Sequence, residues 1–205
     1  MSKSIEVEVR GLLTIEQRKK LLLFLKNHGE FKEQKRRISI DYSLFLDDGG
    51  IKNRSRDVRL RITNGKPEII IKMGKWGAGE NRKEISVMAE AGSFDKLVEI
   101  FAALGYKKGA LCVRNSIVYD YDGIEFAVVE VPNHSYYFEA EKLVRSKQGA
   151  EKVYEEIEEI CQKIGLIPFD DEKFMKYIEV LNSEVNEIFE FSNDKENYFK
   201  KRFGL

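Results

Sequence analysis

Ile5-Glu6-Val7-Glu8-Val9-Arg10 alternates apolar and charged residues. On an extended strand that period of two sends Glu6, Glu8 and Arg10 to one face and Ile5, Val7 and Val9 to the other. A second acidic pair, Glu139-Ala140-Glu141, recurs far down the chain. Between the pairs, strand-like runs carry polar or charged residues at alternate positions: Lys35, Arg37, Ser39 and Asp41; Arg59-Leu60-Arg61; Lys72 behind Ile69-Ile70-Ile71; and Arg82-Lys83-Glu84. One such strand ordinarily turns its charges to water. Repetition over every strand has a different explanation: in a closed barrel of about eight strands, one face of each lines a common lumen while helices cover the apolar outside.

Turn and cap signals set the strand boundaries. Thr14 with Gln17 three residues on forms a capping box, and Ile15, Leu21, Leu22 and Leu25 make a helical stripe ending at Asn27-His28-Gly29. Residues 31–45 read as one long strand, broken by Asp47-Asp48-Gly49-Gly50. Asn64-Gly65 joins strands over 58–63 and 68–73 as a hairpin, and Asp122-Gly123 does the same for 110–121 and 124–131. A glycine-rich stretch, Gly74 to Gly79 with Trp76, precedes a strand over 82–88. Ser93 is expected to cap a helix over 94–104 closed by Gly105, and Tyr136 to Val144 carries the second acidic pair. From about Gln148 the spacing turns helical, with Val153, Ile157, Ile160 and Ile164, then Phe174, Ile178, Leu181, Val185 and Ile188, and Pro168 between the runs. The expected organisation is an α+β fold: an eight-stranded antiparallel barrel over residues 1–147, helices outside it, and C-terminal helices over 148–205 packed on or beside it.

Composition excludes several classes. The 205 residues are 42% hydrophobic, enough for one substantial core. Thirty-five basic residues balance 35 acidic ones, whereas nucleic-acid binders carry a net basic footprint, so no nucleic-acid partner is expected. The longest apolar runs, such as residues 21–25, fall far short of the roughly 20 residues a membrane helix needs. No leader-like segment precedes the first strand, and a cytoplasmic location is the expectation. Cys112 and Cys161 lack partners at metal-ligand spacing and read as reduced core residues. His28 and His134 sit at a helix end and in a turn, outside any ligand cluster.

A lumen lined by both signs is costly unless something neutralises it. Glu6, Glu8, Glu139 and Glu141 are hard oxygen ligands suited to Mg²⁺ or Mn²⁺. Arg10, Arg37, Arg59, Arg61, Lys72, Arg82 and Arg114 suit phosphate oxygens, and within the run Lys35-Arg36-Arg37 alternation favours Lys35 and Arg37 as the inward members. A polyphosphate chain with a divalent cation satisfies both sets.

These residues resemble the CYTH superfamily, the triphosphate tunnel metalloenzymes that include class IV adenylyl cyclases, thiamine triphosphatases and inorganic triphosphatases. Glu6-Val7-Glu8-Val9-Arg10 is similar to the family's Glu-x-Glu-x-Lys strand, with arginine in place of lysine. Gln34 to Tyr42 resembles its second strand, Arg59-Leu60-Arg61 its Arg-x-Arg strand, and Lys72 and Arg82 with Glu84 the strands that follow. Arg114 matches the second member of a Lys-x-Arg pair whose first position is Cys112 here. Glu130 stands near the place of a metal-linked aspartate, and Phe138-Glu139-Ala140-Glu141 resembles the closing Phe-x-Glu-x-Glu strand. The resemblance spans about residues 4 to 165 and implies a tunnel binding a triphosphate with Mg²⁺ or Mn²⁺.

The expected activity is metal-dependent hydrolysis of a triphosphate, inorganic or organic. Glu6, Glu8, Glu130, Glu139 and Glu141 would hold metal; Lys35, Arg37, Arg59, Arg61, Lys72, Arg82 and Arg114 would grip the phosphates; Glu6, Glu8 and Arg10 would act at the reacting group. Arginine at position 10 keeps the charge but not a shiftable pKa, which removes a proton-carrier role. A class IV cyclase forming cyclic AMP and pyrophosphate, and a non-catalytic polyphosphate or nucleotide binder, stay open. Tyr42, Phe45 and Trp76 are candidates to stack a base, although packing is their commoner use. The tail could plug one tunnel mouth or mediate a homodimer through Phe189, Phe191, Tyr198 and Phe203.

Overall fold

The computed structural model describes residues 5–46, 55–74, 77, 79–144, 147–192 and 196–205. The Asp47 to Gly50 loop and Trp76 lie outside the described residues. The strands are β1 (Ile5–Leu13), β2 (Glu30–Asp41), β3 (Arg56–Thr63), β4 (Lys66–Met73), β5 (Gly79–Met88), β6 (Lys108–Tyr121), β7 (Ile124–Val131), β8 (Ser135–Val144) and β9 (Glu187–Glu190). The helices are α1 (Ile15–His28), α2 (Phe94–Ala103), α3 (Lys147–Lys163), α4 (Asp171–Glu184) and α5 (Tyr198–Phe203). Strand order is β2-β3-β4-β5-β1-β8-β7-β6, every pair is antiparallel, and β6 pairs back onto β2 to close an eight-stranded barrel.

Tight turns set the register. Asn64 and Gly65 have φ of 49° and 80°, and Asp122 and Gly123 have 57° and 72°, the left-handed pair of a two-residue hairpin whose twist matches its strands. Asn64 also ties β3 to β2, accepting from Arg36 N and donating to Gln34 O, both at 2.8 Å. The Thr14–Gln17 capping box forms on α1. Ser93 does not cap α2: its hydroxyl donates to Glu90 O at 2.6 Å. Residues 43–45 form a short 3₁₀ turn rather than the end of β2.

Helices cover the apolar outer wall. Val7 and Val9 of β1, Phe126 of β7 and Phe138 of β8 pack under Leu21 and Leu25 of α1 and Ile157 and Ile160 of α3. Ile38, Ile40, Leu60 and Ile62 pack under Phe94, Val98 and Phe101 of α2 with Phe189 and Phe199. At Gly11 a Cβ would stand 2.3 Å from Ile167 O, so only glycine lets the segment before α4 run against β1. Phe169 N donates to Arg10 O at 2.7 Å there, extending the wall beyond the end of β5.

The tail is not wholly helical. Val185 N and Asn186 N both close on Leu181 O, ending α4 at Glu184. The next residues then pair with β6 as β9, burying Phe189 and exposing Ile188 at 64%. Val185 and Ile188, expected on a helical stripe, therefore lie beyond the helix. Among the described residues no helix is long and apolar enough to cross a membrane.

Candidate active site

Period-two alternation carries the site. On β1, Glu6, Glu8 and Arg10 face inward because Val7 and Val9 are claimed by the helices outside. On β8, Tyr137, Glu139 and Glu141 face inward for the same reason, with Phe138 and Ala140 fully buried on the other face. Register places Glu8 opposite Glu141 and Arg10 opposite Glu139. The result is a lumen cavity of about 200 Å³ lined by seven cations and six carboxylates.

Glu6, Glu8 and Glu141 each offer a carboxylate oxygen within 4.8 Å of the others. Lys72 Nζ sits 2.8 Å from Glu6 and 3.4 Å from Glu84. Arg10 lies 2.5 Å from Glu8 and 3.3 Å from Glu139. Burial, then the charges of Glu6, Glu139 and Glu125, push Glu141 up to about 7. Burial works the same way on Glu6, but the charge and hydrogen bond of Lys72, with help from Glu8 and Arg10, bring it below the ordinary carboxylate value. Three crowded carboxylates, one of them reluctant to ionise, fit a hard divalent cation.

The cations form a second layer. Arg37 and Arg114 face each other across the β2–β6 ladder, with Arg61 alongside on β3. Burial and the Arg37 charge lower the Arg61 pKa, against the pull of Glu68, which Arg61 reaches at 2.6 Å. Arg37 Nε is buried without a hydrogen-bond partner, and neither Arg37 nor Arg114 has an ion pair among the described residues. Lys35 reaches Glu125 at 3.2 Å, and Arg59 reaches Asp57 at 2.7 Å. Arg37 and Arg114, set side by side with no ion pair among the described residues, call for an anion with several oxygens.

The structure brings Glu6, Glu8, Arg10, Lys35, Arg37, Arg59, Arg61, Lys72, Arg114, Glu139 and Glu141 to one lumen. It corrects the expectation at two positions and qualifies it at a third. Glu130 follows Val129 on β7, whose Glu125, Ala127 and Val129 face inward, so Glu130 points outside, where Asn115 Nδ2 approaches it at 3.5 Å. Arg82 stands opposite Glu6 in register, yet its guanidinium is spent on Asp57 at 2.9 Å and it is absent from the cavity lining. Glu139 faces the lumen but pairs with Arg10 rather than joining the three clustered carboxylates. Tyr42 is 1% exposed in the α2 core, where burial raises its hydroxyl pKa, so it stacks no ligand. Phe45 sits under Lys108 Nζ at 4.9 Å. Cys112 lines the lumen rather than the core, whereas Cys161 is buried, its thiol pushed up to about 12 by burial and then by Glu158.

Glu125 and Tyr137 escaped sequence reasoning, although both had a signal. The Asp122-Gly123 turn fixes Tyr121 opposite Ile124 and hence the phase of Glu125, while Tyr137 shares the phase of Glu139 and Glu141. The residues of α4 that close one end of the lumen carried no such signal. Phe174, Tyr177 and Leu181 border a chamber of about 150 Å³ that opens onto Arg10, Arg37 and Arg114. Tyr177 OH is pinned by Ser135 Oγ at 2.8 Å, and His134 reaches Glu184 at 3.2 Å, holding α4 to the β7–β8 turn.

No family model matches the chain, and no curated protein matches it in sequence. Solved structures do. The PH1819 protein from Pyrococcus horikoshii superposes with a TM-score of 0.70 at 23% identity, covering 85% of this chain and 98% of that one. A protein of Vibrio parahaemolyticus proposed to be an adenylate cyclase gives 0.64 at 11% identity, over 84% and 98%. HpAC1 from Hippeastrum, in which triphosphatase activity dominates, gives 0.55 at 14% identity, over 82% and 90%. The chain shares the fold of these structures, here a closed eight-stranded antiparallel barrel.

Proposed function

We propose that the protein is a divalent-metal-dependent triphosphatase. The observation that carries the reading is the meeting of Glu6, Glu8 and Glu141 within 4.8 Å in a lumen that also holds Arg37, Arg61 and Arg114. The three carboxylates would hold Mg²⁺ or Mn²⁺, which when bound neutralises charge on phosphoryl oxygens and lowers the pKa of a water. Arg37, Arg61 and Arg114 bind the non-bridging oxygens and fix the chain along the barrel axis. Arg10, held between Glu8 and Glu139, presents a fixed positive charge to the phosphoryl group beside the carboxylates. Lys72 keeps Glu6 ionised and aimed inward.

Phosphate release from tripolyphosphate and from ATP, with Mg²⁺ or Mn²⁺, tests this directly. Turnover that disappears in Glu8→Ala supports it, and identical rates in wild type and Glu8→Ala reject it. The cyclase alternative draws on the same fold, and the Vibrio parahaemolyticus protein proposed to be an adenylate cyclase keeps it in view. Chromatography of the ATP reaction separates the two: ADP and phosphate for the hydrolase, cyclic AMP and pyrophosphate for the cyclase.

A further inference from the structure

Of the two arginines that face each other in mid-lumen, only Arg114 is held by hydrogen bonds among the described residues. Its Nη1 donates to Val113 O at 2.7 Å, and its Nη2 donates to Asn186 Oδ1 at 3.0 Å. We propose that Asn186, just past the end of α4, positions Arg114 for the phosphate chain, an inference that rests on the tunnel being a triphosphate site. Arginine only donates, so the Asn186 amide must turn its oxygen to Arg114. Its Nδ2 then donates to Asn182 Oδ1 at 2.8 Å, one turn back on α4, which fixes that orientation.

The local fold places Asn186 there. With Val185 N and Asn186 N closing on Leu181 O at 3.1 and 2.7 Å, the chain leaves α4 and enters β9, where Glu187 stands opposite Leu111 of β6. Arg114 lies three residues further along β6, so the strand that fixes Asn186 also carries Arg114. β9 is anchored in turn. Phe189 is 3% exposed, and Phe199 is fully buried between Phe189 and Phe94 of α2. Asp95 of α2 accepts from Phe199 N at 2.9 Å and from Lys200 N at 3.0 Å. The aromatic tail is thus a strut packed on its own barrel, and Asn186 is the point where it meets the lumen. An amide suits that point better than a carboxylate. It sets the direction of the guanidinium without neutralising it, and Arg114 keeps its full charge and its other N–H groups for an anion. A long side chain fixed in advance loses less conformational freedom when the ligand arrives.

The test is calorimetric binding of the non-hydrolysable imido analogue of tripolyphosphate in the presence of Mn²⁺, by wild type, Asn186→Ala, Arg114→Gln and the double variant. Stoichiometry reports the binding-competent fraction separately from affinity, so partial unfolding does not imitate a weaker site. The expected result is a Kd raised roughly fivefold by Asn186→Ala, the worth of ordering one long side chain. In the Arg114→Gln background the same change should move Kd by less than about twofold, since Asn186 then has no guanidinium to aim. Wild-type affinity in Asn186→Ala, or an equal loss in both backgrounds, overturns the positioning role while leaving the tunnel reading intact. Failure of wild type to bind overturns the tunnel reading and the positioning role with it.

Discussion

Two arginine clusters on this barrel look alike in sequence and differ in kind. At one rim, Arg82 and Arg59 converge on Asp57 at 2.9 and 2.7 Å, with Asp57 fully buried and Arg82 2% exposed. Mid-lumen, Arg37 faces Arg114 beside Arg61 across a cavity, and neither Arg37 nor Arg114 meets a carboxylate among the described residues. Asp41, which Arg59 also reaches at 3.5 Å, brings the first cluster to two arginines against two carboxylates, and the buried Arg82–Asp57 pair within it serves the fold. The second holds its charges apart at a cost that an anionic ligand would repay. Position in an alternating strand thus says which way a cation points, and at Arg82 and Arg37 a carboxylate within reach of one and not of the other separates the two uses.

The comparison breaks most sharply at Asp57. Asp57→Ala strands the buried Arg82 and is expected to cost about 3–5 kcal/mol, a fall of about 10 °C in thermal unfolding for a domain this size. A variant that melts with wild type would make the rim pair no more structural than the mid-lumen cluster. At Glu8 the effect moves to chemistry. Glu8→Gln keeps the shape and is expected to lower metal-dependent turnover at least about 100-fold, since partners one layer further from a metal already cost 10–100-fold. Steady-state phosphate release measures it.

Arg37→Gln is the mirror of Asp57→Ala: KM for tripolyphosphate should rise about 10–100-fold, the worth of a charged hydrogen bond or two, with no loss of melting temperature. A melting temperature lowered as far as that of Asp57→Ala would show Arg37 serving the fold after all.

The smallest effect is protonic. Burial and then the neighbouring carboxylates raise Glu141 from its ordinary 4.5 to about 7. Between those values the folded protein keeps a proton that the unfolded chain has lost, so this group's share of metal-free stability is full below 4.5 and lost as pH rises through about 7. A cation taking the proton's place must expel it. Calorimetric Mn²⁺ binding at pH 6.5 should therefore release roughly three-quarters of a proton, read from heats in buffers of different ionisation enthalpy. Heats independent of buffer would contradict it.

Much of the barrel was legible because its signals are local. Thr14 with Gln17, Asn64-Gly65 and Asp122-Gly123 set helix and hairpin ends within a residue or two, and alternation did the rest. The inward phase of Glu6, Glu8, Glu139 and Glu141 followed from the same period. Glu130 differs because one residue along a strand reverses the face, and the resemblance that points to it does not carry the phase set by the Asp122-Gly123 turn. Arg82 and Glu139 have the expected face, and it is partners on neighbouring strands that set their surroundings: Asp57 holds Arg82, and Arg10 reaches Glu139. Val185 and Ile188 continued the apolar spacing of α4, and only the closure of two backbone amides on Leu181 O ends the helix. The chamber beneath α4 is a product of tertiary packing, and no local pattern announces it.

The account rests on three distant carboxylates sharing one cation inside an arginine-lined tunnel. A crystal soaked with Mn²⁺ and tripolyphosphate tests it most directly through the anomalous signal of the metal. The account predicts a manganese peak coordinated by Glu6, Glu8 and Glu141, with phosphate density running along Arg37, Arg61 and Arg114. Manganese confined to the outer surface, with that lumen free of metal and phosphate, would contradict it.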